Sequence, residues 1–481
     1  MTTRSDILAD QYGLPDGWSI STLGNVCTIN PPKPKTGVVA GDAEVTFVPM
    51  PAVDADSGTI ATPQIRGFDK VRKGFTAFRE NDVIMAKITP CMENGKAAIA
   101  KGLRNGLGFG STEFHVFRSR EAVLPEYVYY FIRQESFRSA AEMEMTGSVG
   151  QKRVPADFVE GAEIPIPPLA EQKRIVEAVE RLTARVDAAR ERLAKVPFIL
   201  KRFRQAVLAA ACSGRLTEDW RNADADDDLP FGWKVKPLAS AIAGLEQGWS
   251  PKCENEPSTL HDEWGVIKTT AVQAMRFVEV ENKRLPNAIK PRTDLELRSG
   301  DLLITRAGPR ARAAIACLVE SVRPRLIVCD KTYRFRARTD IATSTFLLYF
   351  LNAPSTMNEL DEMKTGISDS GVNLTQDKFR ELPVLLPPIS EQTEIVRRVE
   401  ALMKLADTIE QRVALASARA DKTTQAILAK AFRGELVPTE ADLARAEDRD
   451  FEPASDLIAR IQSANDSAPS RHHRANGCAR K

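Results

Sequence analysis

The sequence Pro-Pro-Leu-Ala-Glu-Gln at residues 167–172 returns as Pro-Pro-Ile-Ser-Glu-Gln at residues 387–392. Proline disfavours helix at the residue before it, and Ser390 is a good N-cap, so each copy predicts the start of a helix. Gly214 and Gly434 are suitable residues to end these helices. Each predicted helix therefore has about 41 residues and a length of roughly 60 Å at 1.5 Å per residue.

Apolar side chains recur along both predicted helices at alternating spacings of three and four residues, which is the pattern of a coiled-coil seam. Two such helices in one chain can bury each other's seams, so we predict that they pair. The alternative is that each apolar stripe packs on its own globular domain. Pro197 is expected to kink or split the first helix, because proline removes a helical hydrogen bond. The residues predicted to pair the helices are Val179, Leu182, Val186, Leu193, Leu200 and Phe203 in the first and Val399, Leu402, Ile409 and Val413 in the second.

The duplication extends along the chain at an offset near 220 residues. Leu-Pro-x-Gly-Trp occurs at residues 14–18 and 229–233, a similar apolar hexapeptide at 82–87 and 301–306, and Thr-Gly at 146–147 and 365–366. This constant order indicates two copies of a domain-sized unit rather than a solenoid repeat. Trp18 and Trp233 are interpreted as core residues rather than as base-stacking groups.

The region of each copy that precedes the helix contains short apolar runs broken by Gly, Pro, Asn and Asp, which predicts strands and turns with a helix or two. The fold class is therefore α+β: two similar mixed α/β domains separated by two long helices that pair as an antiparallel coiled coil. The predicted organisation is domain 1 over 1–165, helix 1 over 166–214, a linker over 215–228, domain 2 over 229–385, helix 2 over 386–434, and a partly disordered tail over 435–481 with a helical piece at 454–461.

The composition excludes several classes of protein. The longest apolar runs fall far short of the roughly 18 residues that a membrane span needs, and the N-terminus lacks the apolar segment of a signal peptide. The seven cysteines form no Cys-x-x-Cys pair and there are only four histidines, so we expect reduced thiols and no zinc or other metal site. A cytoplasmic location is expected.

Motifs for catalysis are missing from the sequence. Asn30-Pro31-Pro32-Lys33 half-resembles the Asn-Pro-Pro-aromatic motif of amino-methyltransferases, but Lys33 replaces the aromatic residue that stacks on a flipped base. The glycine-rich residues 106–110 lack a helix-opening pattern after them and are interpreted, like residues 30–33, as ordinary turns. There is no Walker A pattern, so we expect no ATP binding by this chain.

Charge is concentrated in part of the second copy, although the net charge of the chain is only +2. Residues 298–338 contain nine arginines and one lysine against three acidic residues, a net charge of +7. The matching residues 79–118 have six basic and four acidic residues, a net charge of +2. An Arg-rich segment of turns suits contacts to phosphates and to guanine, and the alternative is a solvated basic face.

The candidate DNA-contacting residues are polar or charged side chains in predicted turns. Lys87 and Arg306 occupy the same repeat position and are the preferred pair. Each residue alone could instead be a partner in a surface salt bridge. The full set is Lys87, Lys96, Ser111, Thr112, Glu113, His115, Lys152 and Arg153 in the first copy and Arg306, Arg310, Arg312, Lys331 and Asn373 in the second.

Two such domains, each followed by a Pro-Pro-x-x-Glu-Gln helix, resemble the specificity subunit (HsdS) of type I restriction–modification systems. Residues 81–98, 110–118 and 147–154 and the segments that end each copy, 214–221 and 432–436, are similar to that family, and the resemblance covers about residues 10–465. It implies two target-recognition domains, each of which reads one half of a split target in double-stranded DNA.

The resemblance also implies the partners. The helices would dock two modification subunits, which use S-adenosylmethionine to methylate adenine, and restriction subunits would join to give an ATP-dependent nuclease and translocase. S-adenosylmethionine, ATP and Mg would then belong to the partner subunits, and this chain would hold no cofactor and no active site. Half-sites on one face of B-DNA lie about 34 Å apart per helical turn, so helix length is expected to set the unread gap.

Three other functions remain open at this point. A self-contained restriction–modification enzyme fragment would need the catalytic motifs that are missing. A coiled-coil scaffold without DNA function would explain the helices but not two similar domains with basic turns. A recognition subunit of a related split-target system outside type I would share all of these sequence features.

Overall fold

A computed structural model describes residues 13–34, 40–148, 150–221, 229–366 and 371–466. It divides into two units, which we call unit 1 (1–192 with 416–481) and unit 2 (193–415). Each unit therefore contains one strand-rich copy of the repeat and one part of each long helix. The N-terminal segment, part of the predicted linker and the end of the predicted tail beyond 466 lie outside the described residues.

The strand-rich part of unit 1 has one antiparallel sheet, one mixed sheet and a separate strand pair. One sheet has the antiparallel order β2-β9-β6-β7, and a second has the order β4-β3-β8-β5 with β3 and β8 parallel. The strand β1 pairs with β10, so that the first and last strands of the copy meet. The strands are β1 (Ser19–Thr22), β2 (Cys27–Ile29), β3 (Glu44–Val48), β4 (Gln64–Gly67), β5 (Thr76–Arg79), β6 (Val83–Ala86), β7 (Ala97–Ile99), β8 (Leu107–Gly110), β9 (Phe114–Ser119) and β10 (Glu163–Ile166), and the helices are α1 (Leu23–Val26), α2 (Phe68–Val71), α3 (Pro125–Ile132), α4 (Glu135–Met143) and α5 (Ala156–Gly161).

Unit 2 repeats this plan. Its antiparallel sheet has the order β12-β21-β17-β19, a smaller sheet has the order β16-β13-β20 with β13 and β20 parallel, and β11 pairs with β23. The strands are β11 (Lys234–Pro237), β12 (Ile242–Gln247), β13 (Gly265–Ile267), β14 (Val272–Gln273), β15 (Arg276–Phe277), β16 (Asn282–Arg284), β17 (Leu302–Thr305), β18 (Ala307–Gly308), β19 (Ala316–Leu318), β20 (Leu326–Ile327), β21 (Thr332–Ala337), β22 (Val372–Asn373) and β23 (Pro383–Leu386), and the helices are α7 (Ser344–Asn352), α8 (Pro354–Met363) and α9 (Gln376–Glu381), with α6 assigned below.

The registers of the sheets confirm that the two copies are equivalent. Val83 lies opposite Phe117 in unit 1, and Leu302 lies opposite Phe335 at the corresponding position of unit 2. Both central strands, β6 and β17, are buried along their whole length, which explains their continuous apolar sequences.

Both long helices form as predicted: α6 spans Leu169–Cys212 and α10 spans Ile389–Phe432. They pair in an antiparallel manner. In unit 1, Arg174 contacts Glu440 just after α10, whereas Arg190, four turns further along α6, donates to Asp421 at 2.9 Å. In unit 2, Arg204 donates to Asp407 and Glu410, each at 2.7 Å.

The predicted seam is buried most deeply where the helices also pack on a domain core. Val179 joins the core of unit 1 and Val399 joins the core of unit 2, and Leu200 is also buried. Both packing modes considered from the sequence therefore occur together. Ile409 is 37% exposed, and the remaining predicted pairing residues are half-buried: Leu182, Val186, Leu193, Phe203, Leu402 and Val413.

Pro197 lies inside α6, and the helix continues through it to Cys212. The expectation that Pro197 splits the helix is therefore wrong, and the alternative of a kink at Pro197 stays a prediction. Proline removes one helical hydrogen bond, but a helix of 44 residues retains the bonds on both sides of it.

The chain after α10 is more ordered than the sequence suggests. Helix α11 (Glu440–Glu447) was not predicted, whereas α12 (Ala454–Asp466) contains the predicted helical piece. Ala454 and Ile458 join the core of unit 1, and the Ala454 amide donates to the carbonyl of Gly17 at 3.0 Å. The segment up to residue 466 is therefore part of unit 1, and the predicted disorder of the tail concerns residues outside those described. Among the described residues, no helix combines the length and apolar character that crossing a membrane requires.

Candidate nucleic-acid interface

The Glu-Gln pair of the repeated hexapeptide is fully buried at the start of each long helix. Glu171 accepts hydrogen bonds from the Trp18 indole at 2.9 Å and from the Glu440 amide at 2.7 Å. Burial raises the pKa of the Glu171 carboxyl above its usual value. Each Pro-Pro-x-x-Glu-Gln sequence therefore anchors a long helix to its own domain.

Unit 2 repeats this anchor. Glu391 accepts from the Trp233 indole at 2.9 Å, from Thr217 at 2.7 Å and from Arg221 at 2.5 Å. Both tryptophans are buried, which confirms that they belong to the core. A buried carboxylate with this many donors is strongly stabilised by them.

The neighbouring glutamines make identical bonds in the two units. Gln172 accepts from the amide of Leu124 at 3.0 Å, and Gln392 accepts from the amide of Thr343 at 2.8 Å. Each glutamine also donates to two backbone carbonyls, so that its amide is satisfied in the interior.

A buried aspartate directly precedes each central strand and accepts hydrogen bonds at its N-terminal end. Asp82 accepts from the amide of Arg79 at 2.7 Å and binds the Arg118 guanidinium through both oxygens. Asp301 accepts from Arg298 and Arg336 in the same way, at 2.8 and 2.7 Å. The opposite ends of these strands lead to Lys87 and Arg306.

Three chain segments meet at the end of each central strand. We call the set Lys87, Glu113, Thr146, Arg153 and Val154 the first junction. The Lys87 amide donates to the Glu113 carbonyl and the Val154 amide donates to the Lys87 carbonyl, both at 2.9 Å. Thr146 and Arg153 exchange two backbone hydrogen bonds of 3.0 and 2.8 Å.

We call the corresponding set Arg306, Lys331, Thr365, Asn373 and Leu374 the second junction. The Arg306 amide donates to the Lys331 carbonyl at 2.9 Å, and the Leu374 amide donates to the Arg306 carbonyl at 2.7 Å. Thr365 and Asn373 exchange backbone bonds of 2.8 and 2.7 Å. The same pattern of main-chain hydrogen bonds therefore holds both junctions together, and we call this pattern the backbone frame.

A glycine is required in each frame. Gly147 and Gly366 have φ values of 132° and 138°, a conformation that residues with a side chain rarely adopt. A Cβ on Gly147 would lie 2.8 Å from the Gln151 carbonyl oxygen, and one on Gly366 would lie 2.6 Å from that of Gly371. These contacts explain the repeated Thr-Gly sequence.

In each unit, a buried side chain donates a hydrogen bond to a carbonyl group of the backbone frame. His115 is 2% exposed, and its Nε2 donates to the Val154 carbonyl at 2.9 Å while Nδ1 accepts from the Asn30 amide at 3.1 Å. Tyr333 has the same register position in unit 2 and donates to the Leu374 carbonyl at 3.0 Å. Burial lowers the pKa of His115, which favours the neutral ring that these bonds need.

The predicted role of His115 as a DNA contact is corrected to that of a positioning residue. Tyr333 was missed by sequence reasoning, although its alignment with His115 in the repeat could have revealed it.

The surface of the first junction is formed by an ion pair and neighbouring polar groups. Arg153 binds both carboxylate oxygens of Glu113 at 2.9 Å, which lowers the pKa of Glu113. Lys87 is half-buried beside this pair, and Lys152 and Thr112 are exposed. Ser111 is half-buried and accepts from the Glu113 amide at 3.2 Å.

The surface of the second junction has no acidic member. Arg306 donates to the side-chain oxygen of Asn373 at 3.2 Å and to the Asp330 carbonyl at 2.8 Å, and it lies 5.7 Å from the Tyr333 ring centroid. Lys331 and Asn373 are exposed. Seven predicted contact residues of unit 1 and three of unit 2 lie at or beside the junctions, and all of them except the buried His115 put donors and acceptors of hydrogen bonds on one accessible region of each unit.

The chain is similar to proteins of one known family. A sequence model described as the type I restriction modification DNA specificity domain matches residues 15–197 and 300–415. The specificity subunit of the type I restriction enzyme EcoEI from Escherichia coli is 33% identical over 479 residues, covering 84% of this chain and 80% of that protein. That of EcoKI from E. coli strain K12 is 32% identical over 441 residues, covering 88% of this chain and 90% of that protein.

The chain belongs to the type I restriction–modification specificity subunits (HsdS). A solved structure of the HsdS subunit from Thermoanaerobacter tengcongensis, 23% identical, covers 88% of this chain and 98% of its own with a TM-score of 0.60. A chain from a structural study of the assembly and conformational transition of a type I R-M system is 24% identical and has a TM-score of 0.65. The match covers 88% of this chain and 99% of that chain. At these identities the structures support the fold alone, whereas the two target-recognition domains follow from the family model, which matches part of both copies, and from the named relatives.

Three predicted contact residues of the specificity subunit point into the fold or are paired. Lys96 donates to the Met50 carbonyl at 3.3 Å, and Arg312 donates to the Thr269 carbonyl at 2.9 Å. Arg310 forms an ion pair with Asp361 at 3.0 Å. The charged ends of these residues therefore have partners within their own domains, and a DNA contact by any of the three stays a prediction.

Several arginines of the basic stretch 298–338 are held by partners within unit 2. Arg323 is only 7% exposed and donates to Ser258, while Arg334 pairs with Glu246 and Arg336 pairs with Asp301. Part of the positive charge of the stretch is therefore used in contacts within unit 2, and Arg306 and Lys331 are the members of the stretch that belong to the second junction.

The segments weighed as remnants of catalytic motifs are structural. Lys33 donates to the Arg72 carbonyl at 3.5 Å, and Asn30 accepts from the Val116 amide while holding His115. Residues 107–110 form the buried strand β8 rather than the expected turn. Within the described ranges, no cluster of His, Cys, Asp and Glu is arranged to hold a metal ion, and the six described cysteines are free.

Proposed function

We propose that each recognition domain of this specificity subunit reads one half of a bipartite DNA target, and that its junction supplies contacts to that half. The observation that supports this proposal is the duplicated backbone frame. Both frames expose polar and charged side chains at the end of a rigid central strand, and a rigid support favours precise recognition.

Lys87 and Arg306 hold the same place in the two frames and are the preferred contacts. A cation at this point can bind a DNA phosphate or the acceptor edge of guanine. Lys152 and Thr112 in unit 1 and Lys331 and Asn373 in unit 2 are exposed on the segments that the main-chain bonds bring together, so we expect them to extend the contact.

Substitution of Arg306 tests this function. Arg306→Ala should weaken binding of target DNA by about 5- to 150-fold if Arg306 reads a base, with relaxed discrimination at one base pair. If Arg306 binds a phosphate, all sequences should be weakened equally and the slope of log affinity against log salt should decrease by about one. Affinity should be measured by fluorescence anisotropy over a series of salt concentrations.

Arg276→Ala is the matched control, because Arg276 is exposed in the same unit and lies outside the junction. It removes the same charge, so it should leave discrimination between target and scrambled DNA unchanged. Equal affinities of wild type and Arg306→Ala at every salt concentration would argue against a contact by Arg306.

We also propose that the helical pair binds two modification subunits, to which restriction subunits are added. The support is a set of exposed apolar side chains on the two helices within unit 2: Phe198 and Leu415 are 64% and 62% exposed, and Ile199 and Leu405 are more than half exposed. Exposed apolar side chains at this density on paired helices are typical of an interaction surface.

Phe198→Asp combined with Leu415→Asp should reduce co-purification of the specificity subunit with its modification subunit at least tenfold, because burial of a new charge at an interface is costly. DNA binding by the chain alone should not change. Ile65→Asp is the control, since Ile65 is 53% exposed on a strand of unit 1. Equal co-purification of the helix variant and wild type would contradict this docking site.

The proposed subunit catalyses no reaction itself and acts in the cytoplasm, where the DNA is. S-adenosylmethionine, ATP and Mg would be bound by the partner subunits. A methyl-transfer assay with purified chain, radiolabelled S-adenosylmethionine and target DNA should therefore give no product until the modification subunit is added. Product formed by the chain alone would overturn this part of the proposal.

A further inference from the structure

Three side-chain positions coincide in the two junctions but differ in chemistry. The positions occupied by Lys87, Glu113 and Arg153 in the first junction are occupied by Arg306, Lys331 and Asn373 in the second. We propose that these three positions determine which bases each recognition domain prefers. This inference rests on the proposed function of the junctions and adds to it the residues that distinguish one half-site from the other.

The backbone frame is held mainly by bonds other than those of these side chains, of which Arg306 adds one bond to the Asp330 carbonyl and Arg153 adds one to the Gln151 carbonyl. The bonds that join the three segments use main-chain amides and carbonyls, and the supporting bonds come from His115 and Tyr333 below. Replacement of a side chain at the three positions therefore changes the surface while the frame can persist. This separation is what allows two domains of one fold to carry different specificities.

The first junction presents an acceptor beside donors. Both carboxylate oxygens of Glu113 are bound by Arg153, and each oxygen retains a further lone pair. Glutamate in the major groove accepts from the amino group of cytosine, and arginine or lysine donates to guanine. The combination of Glu113, Arg153 and Lys87 therefore suits a base pair with an exposed amino group next to one with exposed acceptors.

The second junction presents mainly donors. Arg306 donates to the side-chain oxygen of Asn373, which leaves the amide nitrogen of Asn373 able to donate. The Lys331 ammonium is exposed and has no bonded partner among the residues that the structure describes. This set suits the acceptors of guanine and the N7 atom of a purine, and it carries a net charge of +2 where the first set carries +1.

Reciprocal exchange of the differing side chains tests the inference. Lys331→Glu with Asn373→Arg gives the second junction the ion pair of the first, and Glu113→Lys with Arg153→Asn gives the first junction the residues of the second at the same two positions, while the cations Lys87 and Arg306 at the third position are kept. Wild type and both variants would be used to select duplexes from a library with randomised base pairs, and the selected sequences would be compared.

Each exchange has a matched control of the same charge change on exposed residues of the same unit. Lys290→Glu with Asn287→Arg serves for the second junction, and Glu142→Lys with Lys70→Asn serves for the first. Thermal unfolding of every variant checks that the fold is retained. Should a double variant fail to fold, the single variants Lys331→Gln and Glu113→Gln take its place, because these side chains make no bond in the frame.

We expect wild type to select a split motif, the two exchanges to alter the preferred bases in different halves of it by about tenfold or more, and the controls to select the wild-type motif. An unchanged motif in both exchanges, changes confined to the same half, or equal weakening for all sequences would overturn the role of the three positions while leaving the DNA-reading function intact. Selection of no motif by wild type would instead overturn the proposed function itself.

Discussion

At the scale of single residues, the repeated Thr-Gly sequence shows how one backbone conformation supports a recognition surface. Gly366→Ala should destabilise unit 2 by roughly 1–3 kcal/mol, because the new Cβ would meet the Gly371 carbonyl oxygen at 2.6 Å in a conformation that alanine avoids. Thermal unfolding should show a midpoint lowered by several degrees. Gly371→Ala in the same loop is the control, since a Cβ there has no neighbour within 4 Å and should leave the midpoint almost unchanged. Equal midpoints for the two variants would show that the Gly366 conformation is not required.

At the same scale, sequence reasoning located the junctions but not the direction in which each polar side chain points. Lys87 and Arg306 were found because they repeat at one offset, which is a local property of the sequence. His115 and Arg312 were assigned to the surface because they are polar, yet their partners lie far away in sequence, at Asn30 and Val154 and at Thr269 respectively. Burial of a polar group depends on such distant partners, and a single sequence does not reveal them.

At the scale of the helix, the heptad pattern predicts which apolar residues form the seam but does not indicate how deeply each of them is buried. Val399 and Val413 have equivalent places in the predicted seam of α10, yet Val399 is fully buried in the core of unit 2 and Val413 is half-buried. Val399→Ala should therefore cost about 1.5–3 kcal/mol of unfolding free energy, and Val413→Ala less than about 1 kcal/mol. Urea denaturation followed by circular dichroism would measure both. Similar losses for the two variants would mean that the seam, rather than packing on the domain, dominates the stability of this helix.

At the scale of the whole molecule, the helices α6 and α10 both run from residues of one unit into residues of the other. Insertion of one heptad after Arg192 and another after Leu415 preserves the phase of the seam and lengthens each helix by about 10 Å. B-DNA advances about 3.4 Å per base pair, so the unread gap of the target should lengthen by about three base pairs while both half-sites stay the same. Sequencing of methylated DNA from cells that express the lengthened subunit with its modification subunit would measure the gap. Insertion in α6 alone puts the two seams out of register and should abolish methylation, whereas an unchanged gap after insertion in both helices would show that helix length does not set it.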